Sequence, residues 1–258
     1  LISVVVPVYN ISAEYLTSCI RSVISQIYPY WELCLCDDSS TSEETLFTLN
    51  RFKGSDPRIK IVRTPRNLHI AGATNKAAAH ATGEYLAFLD NDDVLSPDAF
   101  YEVAKAVIKD PDIDVLYSDE DKLDEHGRFC DHYFKPDYSP EHLRSVMYAL
   151  HMLVIRKQLF FELGMLRSEY SGAQDYDLIL RAANATTRIH HIPHILYHWR
   201  IIPGSAADVV DAKPYALEAG RKALEDHVRG AGLEATVDDG LLKGLFRVRH
   251  SIPGAPKI

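Results

Sequence analysis

The sequence is poor in cysteine. Its 258 residues include four, which are too few and too unevenly spaced for a disulfide framework or a zinc ribbon: Cys19, Cys34, Cys36 and Cys130. Cys34 and Cys36 stand two apart in a strand-like run, so we expect both thiols on the same side of a sheet. Thiols packed in this way are typical of a reducing compartment.

Basic side chains and long apolar segments are also scarce. Lys and Arg number 28 against 36 Asp and Glu, and the net charge is −8. This balance argues against nucleic acid as a partner, because proteins that neutralise a phosphate backbone are normally basic. The longest charge-free stretch, residues 1–13, is shorter than the roughly 20 apolar residues of a membrane span. We therefore predict that the chain has no membrane span.

The two ends of the chain carry information about its context. No signal peptide is visible, so we predict a cytoplasmic protein, with a peripheral position at the inner face of the membrane as an alternative. Because the chain begins with Leu rather than Met, we expect it to be part of a longer protein. The proline- and glycine-rich residues 250–258 predict the start of a linker to a second, similar domain.

Strand and helix patterns alternate along the first half of the chain. Ile2–Val8 is a continuous apolar run, typical of a strand buried on both faces of a parallel sheet. Similar patterns predict strands at residues 31–36, 60–62, 84–89 and 115–117, and helices at 14–24, 42–52, 71–81 and after Pro97. This order predicts an α/β fold, with a doubly wound, mostly parallel sheet flanked by helices. Beyond residue 124 the pattern is less regular, with clear helices at 175–185 and 214–229.

Two of the predicted strands end in acidic clusters, Asp37-Asp38 and Asp90-Asn-Asp-Asp93. In doubly wound sheets ligands bind outside the carboxyl ends of the strands. Two like-charged clusters at that edge repel each other unless a cation or a donor-rich ligand lies between them. Asp90 and Asp92 are one residue apart, so both carboxylates can face one cleft and hold a hard cation such as Mg²⁺ or Mn²⁺. The alternative is a helix-capping turn before Pro97.

Six short motifs, in this order and spacing, resemble the family 2 glycosyltransferases with the GT-A fold, of the bacterial, non-processive type. The resemblance covers nearly the whole chain. Its motifs are Val4-Val-Val-Pro-Val-Tyr-Asn10; Asp37-Asp-Ser-Ser40; Arg66-Asn67-Leu68 with Ala71-Gly-Ala-Thr-Asn75; the Asp-x-Asp motif Asp90-Asn91-Asp92; Gly172-Ala-Gln-Asp175-Tyr-Asp177-Leu; and Tyr197-His198-Trp199-Arg200.

The resemblance implies a domain organisation and an activity. Residues 1–124 would form the nucleotide-sugar-binding half of one GT-A domain, and residues 125–249 its acceptor-binding half. The implied enzyme is a metal-dependent, inverting hexosyltransferase that uses Mn²⁺ or Mg²⁺. It would move a sugar from a nucleotide-diphosphate donor, a UDP-sugar first and a dTDP-sugar next, to a saccharide or lipid-linked acceptor of a cell-envelope polysaccharide or glycolipid.

The resemblance also implies roles for individual residues. Asp92 and His198 would bind the metal, and the residues implied for the nucleotide sugar are Pro7, Val8, Tyr9, Asp37, Asp38, Asn67, Asp90, Asn91 and Arg200. Val8 and Asp38 would lie at the base, Asp90 at the ribose or sugar, and Arg200 at the diphosphate. The alternatives are a turn or N-cap pair for Asp37 and Asp38, a half-buried strand histidine for His198, and a surface ion pair for Arg200.

Asp175 is the candidate general base. An inverting transfer needs a carboxylate on the acceptor side that takes the proton of the attacking hydroxyl. Gln174 stands where many family members have Glu, but the aspartate is retained. The alternative is that Gln174, Asp175 and Asp177 only begin a helix, where acids offset the helix dipole.

Two further polar groups receive a structural interpretation. His190, His194 and His198 recur every four residues, but Pro193 interrupts a helix there, so a strand is predicted rather than a helical zinc face. Asp119-Glu120-Asp121 is interpreted as an exposed acidic loop, with a place in the sugar or acceptor pocket as the alternative.

Three other functions are considered. A processive synthase is disfavoured, because its Gln-x-x-Arg-Trp motif and membrane spans are missing from this sequence. Sugar nucleotidyl transfer calls for a glycine-rich loop after the first strand, where this chain has Tyr9-Asn-Ile-Ser12. The remaining alternative is a non-catalytic nucleotide- or glycan-binding domain paired with an active glycosyltransferase domain.

Overall fold

The computed structural model describes residues 1–202, 214–252 and 254. Its strands are β1 (Ile2–Val8), β2 (Trp31–Asp37), β3 (Ile59–Arg63), β4 (Tyr85–Phe88), β5 (Val94–Leu95), β6 (Val115–Leu123), β7 (Phe129–Tyr133), β8 (Leu153–Arg156), β9 (Ile189–Arg200), β10 (Ala235–Asp239) and β11 (Phe246–His250). Its helices are α1 (Ala13–Ile24), α2 (Glu43–Phe52), α3 (His69–Ala78), α4 (Ala99–Lys109), α5 (Pro140–Leu143), α6 (Lys157–Glu162), α7 (Gln174–Ala185) and α8 (Pro214–Gly230), with a 3₁₀ turn at Ser168–Tyr170.

One large sheet joins the two halves of the chain. Its strand order is β3-β2-β1-β4-β8-β6-β9-β5, with β7 paired to β6. The first four strands are parallel, as are β6 and β9, whereas β8 is antiparallel to both β4 and β6. The predicted α/β class is confirmed. The antiparallel strands were not predicted, because they are short and lie where the sequence pattern is irregular.

The ends of the described chain bear on two predictions. Residue 250, the first of the predicted linker, ends β11, and residues 253 and 255–258 of that linker lie outside the described residues. Within the part of the chain that the structure describes, no helix has the length and apolar character that crossing a membrane requires.

The sheet is buried on both faces, which explains the continuous apolar run of β1. Val5 packs into one hydrophobic core and Val4, Val6 and Val8 into the other. The first core also contains both Cys34 and Cys36, as their spacing predicts. Because every residue of β1 is buried, the strand has a fixed register against β2 and β4, and the turns that follow these strands have fixed positions at the carboxyl edge of the sheet.

The buried carboxylate of Glu32 fixes the opposite, amino end of the central strands. It accepts hydrogen bonds from the Ser3 hydroxyl at 2.6 Å and from the Thr82 hydroxyl at 2.9 Å, and it pairs with Lys60 at 2.6 Å. Burial alone would raise the pKa of Glu32, but the bonds from Lys60, Ser3 and Thr82 outweigh it and lower the pKa to about 2. Glu32 therefore links β1, β2, β3 and the segment that leads into β4.

We expect Glu32→Gln to lower the free energy of unfolding at pH 7 by about 2–3 kcal/mol, because charge-assisted bonds are lost from a buried site. The pKa of Glu32 is lower in the folded than in the unfolded chain, so its contribution is complete above about pH 4.3 and is lost as the pH falls towards 2. Urea titrations at pH 7, 5, 4 and 3 should show a difference from the parent that is the same at pH 7 and 5 and shrinks at pH 4 and 3. Glu14→Gln, on the exposed face of α1, is the matched control. An equal loss in both variants would contradict the role given to Glu32.

Candidate functional site

A cavity of about 570 Å³ opens at the carboxyl edge of β1, β2 and β4. His69, Ile70 and Ala73 of α3 form part of its wall. The remaining lining residues are all among those predicted for the nucleotide sugar and metal: Pro7, Val8, Tyr9, Asp38, Asn67, Asp90, Asn91 and Asp92. The structure therefore brings together residues that lie up to 85 positions apart in the chain.

The two acids that end β2 have different surroundings. One carboxylate oxygen of Asp38 accepts bonds from the Thr64 hydroxyl at 3.0 Å and the Leu68 N–H at 2.8 Å, so a rigid wall holds this side chain at the cavity. Asp37 accepts from the Ser40 N–H and pairs with Arg63, both at 2.8 Å. Asp37 is not part of the cavity lining, and its contacts are those of the alternative interpretation, a turn residue.

The turn after β4 is fixed from both sides. The Asn91 amide donates to the Pro7 carbonyl at 2.7 Å, which ties the turn to the end of β1. Behind the turn, the buried Asp93 accepts from the Tyr197 hydroxyl at 2.5 Å and from the Arg200 N–H at 2.7 Å. Sequence reasoning missed Asp93 as a positioning residue, although it is the next acid after the Asp-x-Asp motif.

Negative charge is concentrated at this turn. Burial, and next the carboxylate of Asp90, raise the pKa of Asp92 to about 6. Burial also raises the pKa of Asp93 strongly, with further contributions from Asp92 and Asp90. Asp90 and Asp92 line the cavity, whereas Asp93 is bonded behind the turn, so Asp90 and Asp92 are the carboxylates placed to meet a cation in the cavity. Hard oxygen donors of this kind fit Mg²⁺ or Mn²⁺.

Arg200 lies at the acidic turn, whereas His198 does not. The Arg200 guanidinium stacks over the Tyr15 ring at 4.8 Å, and its Nε donates to the Asp92 carbonyl at 2.6 Å. His198 instead bonds through Nδ1 to Asp121 at 2.5 Å and stacks on Phe129 at 4.2 Å. These are the contacts of a buried strand histidine. Successive side chains of β9 face opposite sides of the sheet, so His198 points away from the side on which Tyr197 contacts Asp93.

His151 lies near the acidic turn, although no pattern in the sequence marks it as a site residue. A ring nitrogen of His151 and carboxylate oxygens of Asp90 and Asp93 lie within 4.8 Å of one another. Its Nδ1 lies 3.1 Å from a Glu120 oxygen, and its ring stacks on Tyr197 at 4.6 Å. No local motif marks His151, because it precedes β8 and reaches the turn only through the folding of the sheet.

Glu120 belongs to a chain of buried, alternating charges. The Lys135 ammonium, whose side chain is 1% exposed, lies 2.9 Å from Glu120, and Glu120 contacts His151 in turn. Burial lowers the pKa of His151, but Glu120, Asp93 and Asp90 outweigh it, so the pKa is raised. The prediction of an exposed acidic loop at residues 119–121 is therefore wrong. These residues lie within β6, which is longer than predicted, and their carboxylates have partners in the protein interior.

A second cavity, of about 210 Å³, contains Asp175 in its wall. Asp175 lies in the first turn of α7, and the Gln174 amide donates to it at 2.7 Å while accepting from the Gly172 N–H at 2.8 Å. Burial raises the pKa of Asp175, partly offset by His151 and by the bond from Gln174. This carboxylate is therefore more basic than an exposed aspartate and is held in one orientation.

The two cavities adjoin each other. Leu150 lines the cavity of Asp175, and the next residue, His151, lies beside Asp90, which lines the larger cavity. Asp175, whose pKa is raised, and the acidic edge suited to a cation thus lie on the two sides of the segment Leu150-His151. With a cation bound, the acidic edge can hold a polyanionic molecule, and Asp175 can take a proton from a hydroxyl group in the second cavity.

The sequence is similar to parts of longer proteins. It is 43% identical to the uncharacterized protein y4gI of Sinorhizobium fredii and 39% identical to the O-antigen biosynthesis protein RfbC of Myxococcus xanthus, each match covering 100% of this chain. A chondroitin synthase of Pasteurella multocida is 30% identical over 81% of this chain. This chain spans 29%, 20% and 21% of the lengths of these relatives.

Solved structures support the fold. The crystal structure of S. aureus TarS 1-349 in complex with UDP-GlcNAc matches 90% of this chain with a TM-score of 0.71 at 21% identity, over 68% of that chain. A second crystal structure, of S. aureus TarS 1-349, matches with a TM-score of 0.68 at 23% identity, over 66% of its chain. At this identity the likeness concerns the fold, and it confirms the predicted GT-A architecture.

Residues 3–162 match the family model described as glycosyl transferase family 2. This match extends from β1 through β8 and so includes the acidic edge of the sheet and His151. The predicted glycosyltransferase domain is thereby confirmed, and the chain belongs to glycosyl transferase family 2.

Proposed function

We propose that this chain is the catalytic domain of an inverting, metal-dependent glycosyltransferase that transfers a hexose from a UDP-sugar to a saccharide or lipid-linked acceptor in polysaccharide synthesis. The observation that carries the proposal is the pair of adjoining cavities, one with an acidic edge and one containing Asp175. The names of two relatives, an O-antigen biosynthesis protein and a chondroitin synthase, support a polysaccharide product.

The larger cavity is the proposed donor site. Val8 and Asp38 would meet the base, with Asp38 accepting a hydrogen bond from a base N–H, and Pro7, Tyr9 and Asn67 would shape the pocket. Two of the similar TarS structures are complexes with UDP and with UDP-GlcNAc. This supports a uridine nucleotide as the donor, with dTDP as the second choice. Residues 1–124 would supply most of this site and residues 125–249 the acceptor side.

Asp92, together with Asp90, would hold the divalent cation, and Arg200 would lie beside the diphosphate. When bound there, Mn²⁺ or Mg²⁺ supplies positive charge that stabilises the departing diphosphate. The position of Asp93 keeps the acidic turn in place, because its two hydrogen bonds come from β9. His198 is left out of the proposed ligand set, because its Nδ1 is bonded to Asp121.

Asp175 would act on the acceptor. Its carboxylate takes the proton of the acceptor hydroxyl as that oxygen donates an electron pair to the anomeric carbon. The bond between the anomeric carbon and the donor phosphate oxygen breaks at the same time, and its electron pair leaves with the nucleoside diphosphate. Attack from the face opposite the leaving group inverts the anomeric centre. The raised pKa of Asp175 favours its proton uptake.

Calorimetry with UDP, dTDP and GDP, each with and without Mn²⁺, tests the donor site. We expect UDP to bind, and to bind more tightly with Mn²⁺. Asp92→Ala should weaken UDP binding in Mn²⁺ by about 10- to 100-fold and remove its dependence on the metal, because a carboxylate ligand is lost. Asp112→Ala, at an exposed position, is the matched control. Metal-dependent UDP binding by the Asp92→Ala variant would overturn this ligand assignment.

Asp175→Asn should lower the rate of sugar transfer by about 10²- to 10⁴-fold, the usual contribution of a general base, while UDP binding stays unchanged. The assay is release of UDP from a UDP-sugar in the presence of an acceptor, followed by product analysis. Glu169→Gln, an exposed carboxylate shortly before α7, is the control for loss of negative charge near the helix. Unchanged transfer by Asp175→Asn would rule out this base. Donor binding without any transfer by the parent would favour the non-catalytic alternative.

A further inference from the structure

The cavity that contains Asp175, here called the acceptor cavity, has an apolar wall. The side chains that form most of it are Met147, Leu150, Ala173, Tyr176, Leu217 and Phe246. Asp175 is the only ionisable acid or base among its described lining residues apart from the phenol of Tyr176. The donor cavity differs in this respect, because three aspartates and two asparagines line it.

Several polar groups of the acceptor cavity are already paired within the protein. The Tyr176 hydroxyl donates to the Leu143 carbonyl at 2.6 Å and so is turned into the core. The Ala173 N–H donates to the Tyr170 carbonyl at 2.8 Å.

The same holds at the other sides of the cavity. The Phe246 N–H donates to the Ser145 carbonyl at 2.8 Å, and the Leu150 carbonyl accepts from the Lys135 ammonium at 2.5 Å. A sugar hydroxyl pressed against the side chains of Leu150, Leu217 and Phe246 would lose its water without gaining a side-chain partner, whereas a methyl group would gain contacts.

We propose that the acceptor is a 6-deoxyhexose unit whose C6 methyl group occupies the apolar part of this cavity while a ring hydroxyl meets Asp175. This inference rests on the proposed function and names its acceptor class. The volume of about 210 Å³ lies below the roughly 300–1,000 Å³ of pockets for drug-sized ligands, so it suits one sugar ring. An N-acetyl group brings an amide that the wall does not satisfy, and a long lipid chain exceeds the volume.

Met147 offers a sharp test, because its side chain is only partly buried and glutamine has nearly the same length. Met147→Gln places an amide on the wall that can bond a C6 hydroxyl. Met147→Leu keeps the wall apolar with nearly the same volume and is the matched control. Met147 lines the acceptor cavity and is not among the residues that line the donor cavity, so UDP binding in Mn²⁺ is measured for both variants as the check that they fold.

The experiment compares methyl glycosides in matched pairs, each hexose with its 6-deoxy counterpart. The pairs have the gluco, galacto and manno configurations, in the D and the L series. Methyl N-acetylglucosaminide and an octyl glucoside represent the other occupants. Two readouts are taken with UDP or UDP-sugar and Mn²⁺ present: binding by saturation-transfer NMR, and kcat/KM for transfer. We expect the 6-deoxy member of at least one pair to be preferred by about 10- to 100-fold, the discrimination that an apolar pocket achieves for such a small group.

Met147→Gln should reduce that preference about tenfold, and Met147→Leu should keep it. Nucleotide binding accompanied by equal or better binding of every parent hexose, of the N-acetyl sugar or of the octyl glucoside would overturn this inference and leave the proposed function standing. Failure to bind any nucleotide and to hydrolyse any donor would overturn the proposed function, and this inference with it.

Discussion

The geometry of the site depends on the burial of one carboxylate, that of Asp93. A carboxyl group in the protein interior is costly unless its oxygens are bonded, and both bonds come from β9, through the Tyr197 hydroxyl and the Arg200 N–H. The Arg200 side chain then reaches back to the Asp92 carbonyl. The acidic turn of the first half and the last long strand of the second half therefore form one unit, and neither holds its place without the other.

Much of the larger cavity could be predicted because its signals are local. The apolar run of β1, the acids that end β2 and the Asp-x-Asp sequence each report a strand and the turn after it. Parallel strands bring those turns to one edge, so Asp38, Asp90 and Asp92 meet as expected. The sequence did not separate Asp37 from Asp38, because neighbouring residues on a strand face opposite sides and only the surrounding loops decide which one meets the cavity.

The rest of the site depends on contacts between distant segments. Glu120 lies within β6, Lys135 follows β7 and His151 precedes β8. They meet because β7 and β8 both pair with β6. The length of β6 was underestimated, because three consecutive acids look like a solvated loop until buried cationic partners are known. His198 was expected at the metal for its motif, but strand alternation and the Asp121 carboxylate determine where its ring lies.

The wall between the two cavities has a thermodynamic consequence. Leu150 faces one cavity and His151 the acidic edge of the other, so a two-residue segment is common to both. A ligand that shifts this segment in one cavity changes the free energy of occupying the other. By linkage the factor is the same in both directions: whatever a ligand of one cavity does to affinity in the other, a ligand of the other does to affinity in the first. Any such coupling would depend on the segment Leu150-His151 as much as on the residues that line either cavity.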